Sequence, residues 1–73
     1  MDIRTIITMD TYIKYQTTGT PNEFADKLEM SERAVYKYLK FMKEELLAPI
    51  EYSKLKMTYF YIGEGEFKFK WKR

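Results

Sequence analysis

The side chains best suited to binding chemistry lie between positions 31 and 40, where a serine is followed by basic and aromatic residues. They are Ser31, Arg33, Tyr36, Lys37 and Lys40. An arginine can donate two parallel hydrogen bonds to one guanine, while lysines more often contact phosphate. A tyrosine could touch a thymine methyl group or a phosphate, and a serine at a helix start could help to hold a phosphate. These residue types indicate contacts with nucleic acid, provided that they share one face.

The apolar residues of the same stretch have the period of an α-helix. They are Val35, Leu39, Met42 and Leu46, which advance by four, three and four positions. At about 100° per residue, Arg33, Tyr36, Lys37 and Lys40 lie opposite them, within about 60° of one direction. The pattern predicts a helix that packs through its apolar face and presents a basic face to a major groove about 12 Å wide. A basic exposed face is also common on soluble helices that bind no nucleic acid, and the pattern alone leaves that alternative open.

Two start signals and a change of periodicity set the elements that must position this face. Thr20, Pro21 and Glu23 form a capping box with proline at the first helical position, and Ser31 is a second capping residue. After Pro49 the pattern alternates with period two, as in strands. We predict helices at about 3–17, 21–29 and 31–47 and strands at about 50–53, 57–62 and 66–71.

Two helices joined by a tight turn and followed by a hairpin predict an α+β fold of the winged helix-turn-helix type. The wing would be a β-hairpin with Lys54 and Lys56 at its tip, and one additional C-terminal strand would complete a single domain over residues 1–73. In that strand Phe67, Phe69 and Trp71 alternate with lysines. Its basic face could bind DNA or simply protect a sheet edge from aggregation.

The stretch from Thr20 to Leu39 resembles the DeoR-type helix-turn-helix and the N-terminal domain of the biotin-ligase repressor. The matching residues are Phe24, Ala25 and Leu28 in the first helix of the motif and Ser31, Arg33, Val35, Tyr36 and Lys37 in the second. The resemblance covers roughly residues 3–62 and implies sequence-specific DNA binding. Two residues depart from the pattern, because Glu32 stands where the family often has arginine and Glu29 lies in the turn. A carboxylate at position 32 would repel phosphate.

The composition argues against several other classes of protein. The chain has no cysteine and no histidine, so thiolate and imidazole metal sites and the usual proton-transfer side chain are missing. The three glycines are too scattered for a phosphate-binding loop. We therefore expect no enzyme, no metal and no cofactor, and no small-molecule effector is evident. No apolar run could span a bilayer and no signal peptide is visible, which predicts no membrane association and a cytoplasmic location.

Charge is distributed unevenly although the net charge is only +2. Residues 1–32 carry −3, residues 33–53 carry +1 and residues 54–73 carry +4. We predict a transcription regulator that reads double-stranded DNA with the helix over 31–46 and contacts the backbone with the wing over 53–57. A homodimer is open, because so short a chain has a small core and could bury leftover apolar surface.

Two other functions fit the same fold. One is a protein-interaction module that uses the aromatic strand of Phe67, Phe69 and Trp71, or an exposed Phe41. The other is RNA binding by stacking of bases on aromatic side chains. The rings concerned would be Tyr59, Tyr61 and Phe69.

Overall fold

The computed structural model describes residues 1–63, in which three helices precede a two-stranded antiparallel sheet. The helices are α1 (Ile3–Lys14), α2 (Pro21–Leu28) and α3 (Glu32–Glu45), and the strands are β1 (Ile50–Ser53) and β2 (Thr58–Tyr61). This order confirms the predicted α+β class with its hairpin. The predicted strand at 66–71, with its aromatic and basic side chains, lies outside the described residues.

Each helix begins at a side chain that accepts a hydrogen bond from a free backbone amide. The Thr20 hydroxyl accepts from the Glu23 N–H at 3.2 Å, and the Glu23 carboxylate accepts from the Thr20 N–H at 2.9 Å, which is the predicted capping box. The Ser31 hydroxyl accepts from the Ala34 N–H at 3.1 Å. α1 begins at residue 3 as predicted, but its cap, the Asp2 carboxylate that accepts from the Arg4 N–H at 2.9 Å, was not predicted.

The helices end earlier than the sequence pattern predicts. α1, α2 and α3 end three, one and two residues before the predicted positions of about 17, 29 and 47. Each helix is followed by a left-handed residue, namely Gln16 (φ 56°), Glu29 (φ 57°) and Leu47 (φ 56°). After Gln16 the Thr17 N–H bonds back to the Tyr12 carbonyl at 2.9 Å. None of the three is glycine, so each carries the steric cost of a Cβ in this conformation. α3 ends at Glu45, four residues before Pro49, so the proline is not what ends it. β2 starts at Thr58, one residue after the predicted position 57, because Met57 is left-handed (φ 55°).

The core is built from one face of each helix and the inner face of the hairpin. Its fully buried side chains include Met9, Ile13, Phe24, Val35 and Met42. Of the predicted α3 stripe, Leu46 is only partly buried. On α1 the apolar residues divide between two faces, since Ile3 is 55% and Ile7 39% exposed while Ile6 is buried.

Polar contacts attach the sheet to α1 and the loop that follows it. The Thr18 and Thr58 hydroxyls lie 3.0 Å apart, and the Tyr59 N–H donates to the Thr18 hydroxyl at 2.9 Å. Both threonines are buried. At the other end of β2, the Tyr61 hydroxyl donates to the buried Asp10 carboxylate. The wing is therefore fixed at both ends of β2 by hydrogen bonds as well as by apolar packing.

Candidate nucleic-acid interface

The turn between α2 and α3 orients the longer helix. Glu29 reverses the chain in the left-handed region, and the next amide, that of Met30, donates to the Ala25 carbonyl at 3.0 Å. The Met30 side chain packs against the core, so the turn is anchored from within. Ser31 then caps α3. Only Glu29, Met30 and Ser31 separate the two helices, which gives the short connection of a helix-turn-helix.

The first half of α3 presents all five predicted contact residues to solvent. Ser31, Arg33, Tyr36, Lys37 and Lys40 are exposed. On the opposite side Val35 and Met42 are completely buried and Leu39 is 4% exposed. Because the buried side fixes the rotation of the helix about its axis, the polar side has a defined direction. The aromatic member, Tyr36, is 49% exposed and is available for contact.

An open groove of about 600 Å³ runs between α3 and the hairpin. The helix contributes Tyr36, Lys40 and Lys43, and the hairpin contributes Tyr52 and Lys54. The structure thus brings the predicted wing residue Lys54 onto the same groove as two predicted residues of α3. Two carboxylates, Glu44 and Glu51, also line it, so the charged residues of the groove sum to +1.

The two predicted wing lysines do not share a surface. Lys54 lines the groove beside α3. Lys56 lines a separate depression on the other side of the hairpin, together with Gln16, Ser53 and Phe60. The sequence places them two residues apart, but the turn between them decides their faces. A contact area that includes both must therefore surround the tip.

Lys43 is a residue of the groove that our sequence prediction missed. It lies three positions after Lys40 and seven after Tyr36, so the helical period that identified the first half of the face also includes it. The two groove carboxylates were missed as well. Whether Glu51 lines the groove depends on which face of β1 is turned toward α3, and the alternating pattern alone does not show this.

An aromatic cluster forms the base of the groove. The Tyr59 ring lies 4.9 Å from that of Tyr52 and 5.9 Å from that of Phe24, measured between centroids. Burial, and then the nearby Tyr36, Tyr52 and Glu32 side chains, raise the pKa of Tyr59 to about 12. Tyr59 remains a neutral structural phenol at ordinary pH.

The aromatic side chains of the two alternative functions are engaged in the interior where the structure describes them. Tyr59 is only 6% exposed, and the Tyr61 hydroxyl is bonded to Asp10. Phe41, which was predicted to be exposed, is instead partly buried against the core. Phe67, Phe69 and Trp71 lie outside the described residues. Stacking on Tyr59 or Tyr61 would require displacement of core contacts.

Two further properties concern metals and membranes. Within residues 1–63, no group of three or more His, Cys, Asp or Glu side chains is arranged to hold a metal ion. None of the helices in this part of the chain has the length and apolar character needed to cross a bilayer.

Comparison with known proteins decides the family. A family model described as an HTH domain matches residues 3–59, more than three quarters of the chain. The chain belongs to this helix-turn-helix family. The match spans the three helices, β1 and the first two residues of β2, so it includes both the motif and the wing of the helix-turn-helix domain. No curated protein and no solved structure gives a significant match.

Family membership makes the chain a helix-turn-helix DNA-binding domain with DNA as its partner class, and the family is not typically enzymatic. It does not select a subfamily. The likeness to DeoR-type and biotin-ligase-repressor domains stays a prediction, as do the individual contact residues.

Proposed function

We propose that this helix-turn-helix domain is a transcription regulator that binds double-stranded DNA sequence-specifically. The first half of α3 enters the major groove, with Arg33 reading a base and Lys37 and Lys40 contacting phosphates. The wing contacts the backbone beside it. DNA read in this way requires donors on a convex element narrow enough for the groove, which an α-helix provides.

The observation that carries the proposal is the division of α3 into a buried and a basic face. Val35 and Met42 are completely buried, so the helix cannot rotate to hide the opposite side. That side holds Arg33 and Lys37, which are exposed and form no ion pair among the described residues. Side chains held in this way can meet a polyanion without first breaking a protein contact.

The groove between α3 and the hairpin supports the same docking mode. One sugar-phosphate strand separates the major groove of a duplex from the adjacent minor groove. If α3 lies in the major groove and the hairpin beyond it, that strand must pass between them. Lys40, Lys43 and Lys54 border this passage. Lysines at this position neutralise phosphates without reading sequence.

The proposal also accounts for the tyrosine on the contact face. Tyr36 is half exposed and borders both the groove and the outer side of α3. A phenol there can pack on a thymine methyl group and donate a hydrogen bond to phosphate. Glu32 opposes DNA binding, since its carboxylate lies in the first turn of the same helix, where it repels phosphate.

Selection of bound sequences from random duplex DNA tests the proposal. We expect an enriched motif, bound with an affinity that falls as salt rises. With three to six phosphate contacts, log affinity against log salt should have a slope of about −3 to −5. Absence of binding to any duplex at low salt, measured by fluorescence anisotropy, would reject DNA binding. Binding without an enriched motif would reject sequence-specific reading only.

The same selection reports on a homodimer, which we propose as the binding form. Ile3 and Ile7 lie one helical turn apart on α1 and are 55% and 39% exposed, and Met1, just before the helix, is exposed as well. A symmetric dimer binds two half-sites, so the enriched motif should be a palindrome with its halves about one or two helical turns apart. A single unrepeated motif, together with a monomeric mass in sedimentation equilibrium, would contradict the dimer.

A further inference from the structure

We propose that the hairpin tip is an apolar wedge that enters the minor groove, where Leu55 partly unstacks a base step and bends the duplex. The tip consists of Lys54, Leu55, Lys56 and Met57. This inference rests on the proposed function, because it needs α3 to be docked in the neighbouring major groove. It assigns a role to a side chain that the fold does not use.

Leu55 contributes nothing to the core. It is 92% exposed, more than any other large apolar side chain that the structure describes, and its neighbour Met57 is 52% exposed. Isolated apolar residues on a surface need no explanation, but these two lie two positions apart in the four-residue loop that closes the hairpin. Leucine and methionine are among the side chains that architectural proteins insert between base steps.

The tip is held in one shape. The pair Ser53 and Thr58 closes the ladder, leaving a loop of four residues. Within it, the Lys56 N–H donates to the Ser53 hydroxyl at 3.1 Å, and Met57 takes the left-handed conformation that returns the chain to β2. Directly after the loop, the Thr58 hydroxyl and the Tyr59 N–H are both bonded to the Thr18 hydroxyl. An element that is ordered before binding loses less entropy when it inserts.

The charges around Leu55 match a minor groove. Lys54 faces the α3 side of the hairpin and Lys56 faces the other side, with Leu55 between them. A minor groove is about 6 Å wide and has one phosphate strand along each wall. A tip with a cation on each side and an apolar centre is complementary to that cross-section. A tip that contacted only one sugar-phosphate strand of the duplex would need both lysines on the same side of the hairpin.

Insertion of Leu55 should give sequence preference without hydrogen bonds. Pyrimidine–purine steps such as TA and CA/TG unstack and kink most easily. We therefore expect one such step at a fixed distance from the bases read by α3, with the duplex bent there by roughly 20–90°.

The test uses a short duplex that carries the selected motif, with 2-aminopurine at the adenine of the flanking step and a dye pair at the ends. Base unstacking raises 2-aminopurine fluorescence, and bending raises energy transfer. The variant is Leu55→Ser. Its matched control is Leu47→Ser, because Leu47 is also highly exposed, at 77%, but follows α3 instead of forming the wing.

We expect the wild type and Leu47→Ser to raise both signals on binding. Leu55→Ser should lose both signals and the preference at the flanking step, while keeping the preference for the bases read by α3 and an affinity within about tenfold of the wild type. Binding by the wild type without either signal, or equal signals from both variants, would overturn the wedge and leave DNA binding intact. Leu55-dependent binding to anionic phosphatidylserine vesicles, with duplex signals that do not depend on Leu55, would also overturn it and indicate a lipid surface instead. Failure to bind any duplex would remove the proposed function itself.

Discussion

The Tyr61 hydroxyl on β2 donates a hydrogen bond of 2.5 Å to the Asp10 carboxylate on α1, fifty-one positions earlier in the chain. Asp10 is only 6% exposed, and its other oxygen lies 3.9 Å from the Lys14 ammonium. A buried carboxylate needs such donors, because its ionised form is costly away from water. The bond therefore connects β2 to the first helix.

Tyr61→Phe should lower the free energy of unfolding by about 1–3 kcal/mol, because Asp10 stays buried while its phenol donor is lost. Urea denaturation at neutral pH measures the change. The control is Tyr15→Phe, since Tyr15 is 68% exposed and should shift stability by less than about 0.5 kcal/mol. Equal effects from the two variants would show that the buried pair does not stabilise the fold.

Alkaline pH should destabilise the domain through the same tyrosine and through Tyr59. Burial raises the pKa of Tyr61, with further contributions from the Asp10 hydrogen bond and charge, and burial raises the pKa of Tyr59 to about 12. The unfolded chain loses these protons near the ordinary pKa of about 10, while the folded chain keeps them. Stability is thus complete below pH 10 and falls as pH rises above it.

Urea midpoints measured between pH 8 and strongly alkaline pH should show this fall. In Tyr61→Phe the decline should be shallower, because one of the two groups that hold their protons in the folded state is gone. Tyr15→Phe should keep the wild-type slope. A decline that is identical in all three proteins would assign the effect to other groups.

Glu29→Gly should raise stability by about 0.5–1 kcal/mol. Glu29 follows α2 at φ 57°, a conformation that costs a residue with a Cβ about 1–2 kcal/mol. Glycine avoids this cost, but it also increases the conformational entropy of the unfolded chain, which offsets part of the stabilisation. Thermal unfolding measures the difference. Glu29→Ala removes the same charge but keeps the Cβ, so it should show no comparable gain. If alanine stabilises as much as glycine, charge and not backbone conformation is responsible.

Arg33→Ala and Lys37→Ala should separate base reading from phosphate contact. Loss of Arg33 should cost about 1–3 kcal/mol on the selected motif and relax the preference at one base pair. Loss of Lys37 should weaken binding to all duplexes alike and reduce the magnitude of the salt slope by about one. Anisotropy titrations with the motif and its single-base variants distinguish the two. Uniform weakening by Arg33→Ala would make that residue a phosphate contact.

Glu32→Gln should strengthen binding to every duplex, because the Glu32 carboxylate lies in the first turn of α3 beside the proposed phosphate contacts. Glu45→Gln is the matched control, since it removes the same charge from the other end of the same helix. We expect about a two- to fivefold gain from the first and little from the second, which corresponds to well under 1.4 kcal/mol. Equal gains would reflect net charge alone and would argue against docking through the start of α3.

Local signals explain which features could be predicted from the sequence. Thr20 and Ser31 were identified correctly as caps because the residues that they bond lie three positions away. The buried side of α3 followed from the spacing of Val35, Leu39 and Met42, because a helical period fixes which residues share a face. These features define the helix-turn-helix and its solvent-exposed basic side.

Features that depend on backbone handedness or on distant contacts were missed. The left-handed residues that follow the three helices are Gln16, Glu29 and Leu47. None of them is glycine or asparagine, the residue types that usually indicate such a position in a sequence. The opposite faces of Lys54 and Lys56 follow from the four-residue hairpin loop, whose left-handed residue, Met57, is not a glycine or asparagine either. The Asp10 to Tyr61 bond joins residues that only the folded chain brings together.

The contact between Thr18 and Thr58, next to the hairpin loop, has a consequence for how the domain opens. Thr18 and Tyr59 both give their amide protons to buried threonine hydroxyls, and these two residues come from the loop after α1 and from β2. The hairpin cannot leave the body of the molecule without exposing both amides. In hydrogen exchange they should behave as one unit with the core of α3 and exchange only when the whole domain unfolds. The wing then does not move independently of the rest of the domain. Its orientation relative to α3 is lost only when the whole domain unfolds cooperatively.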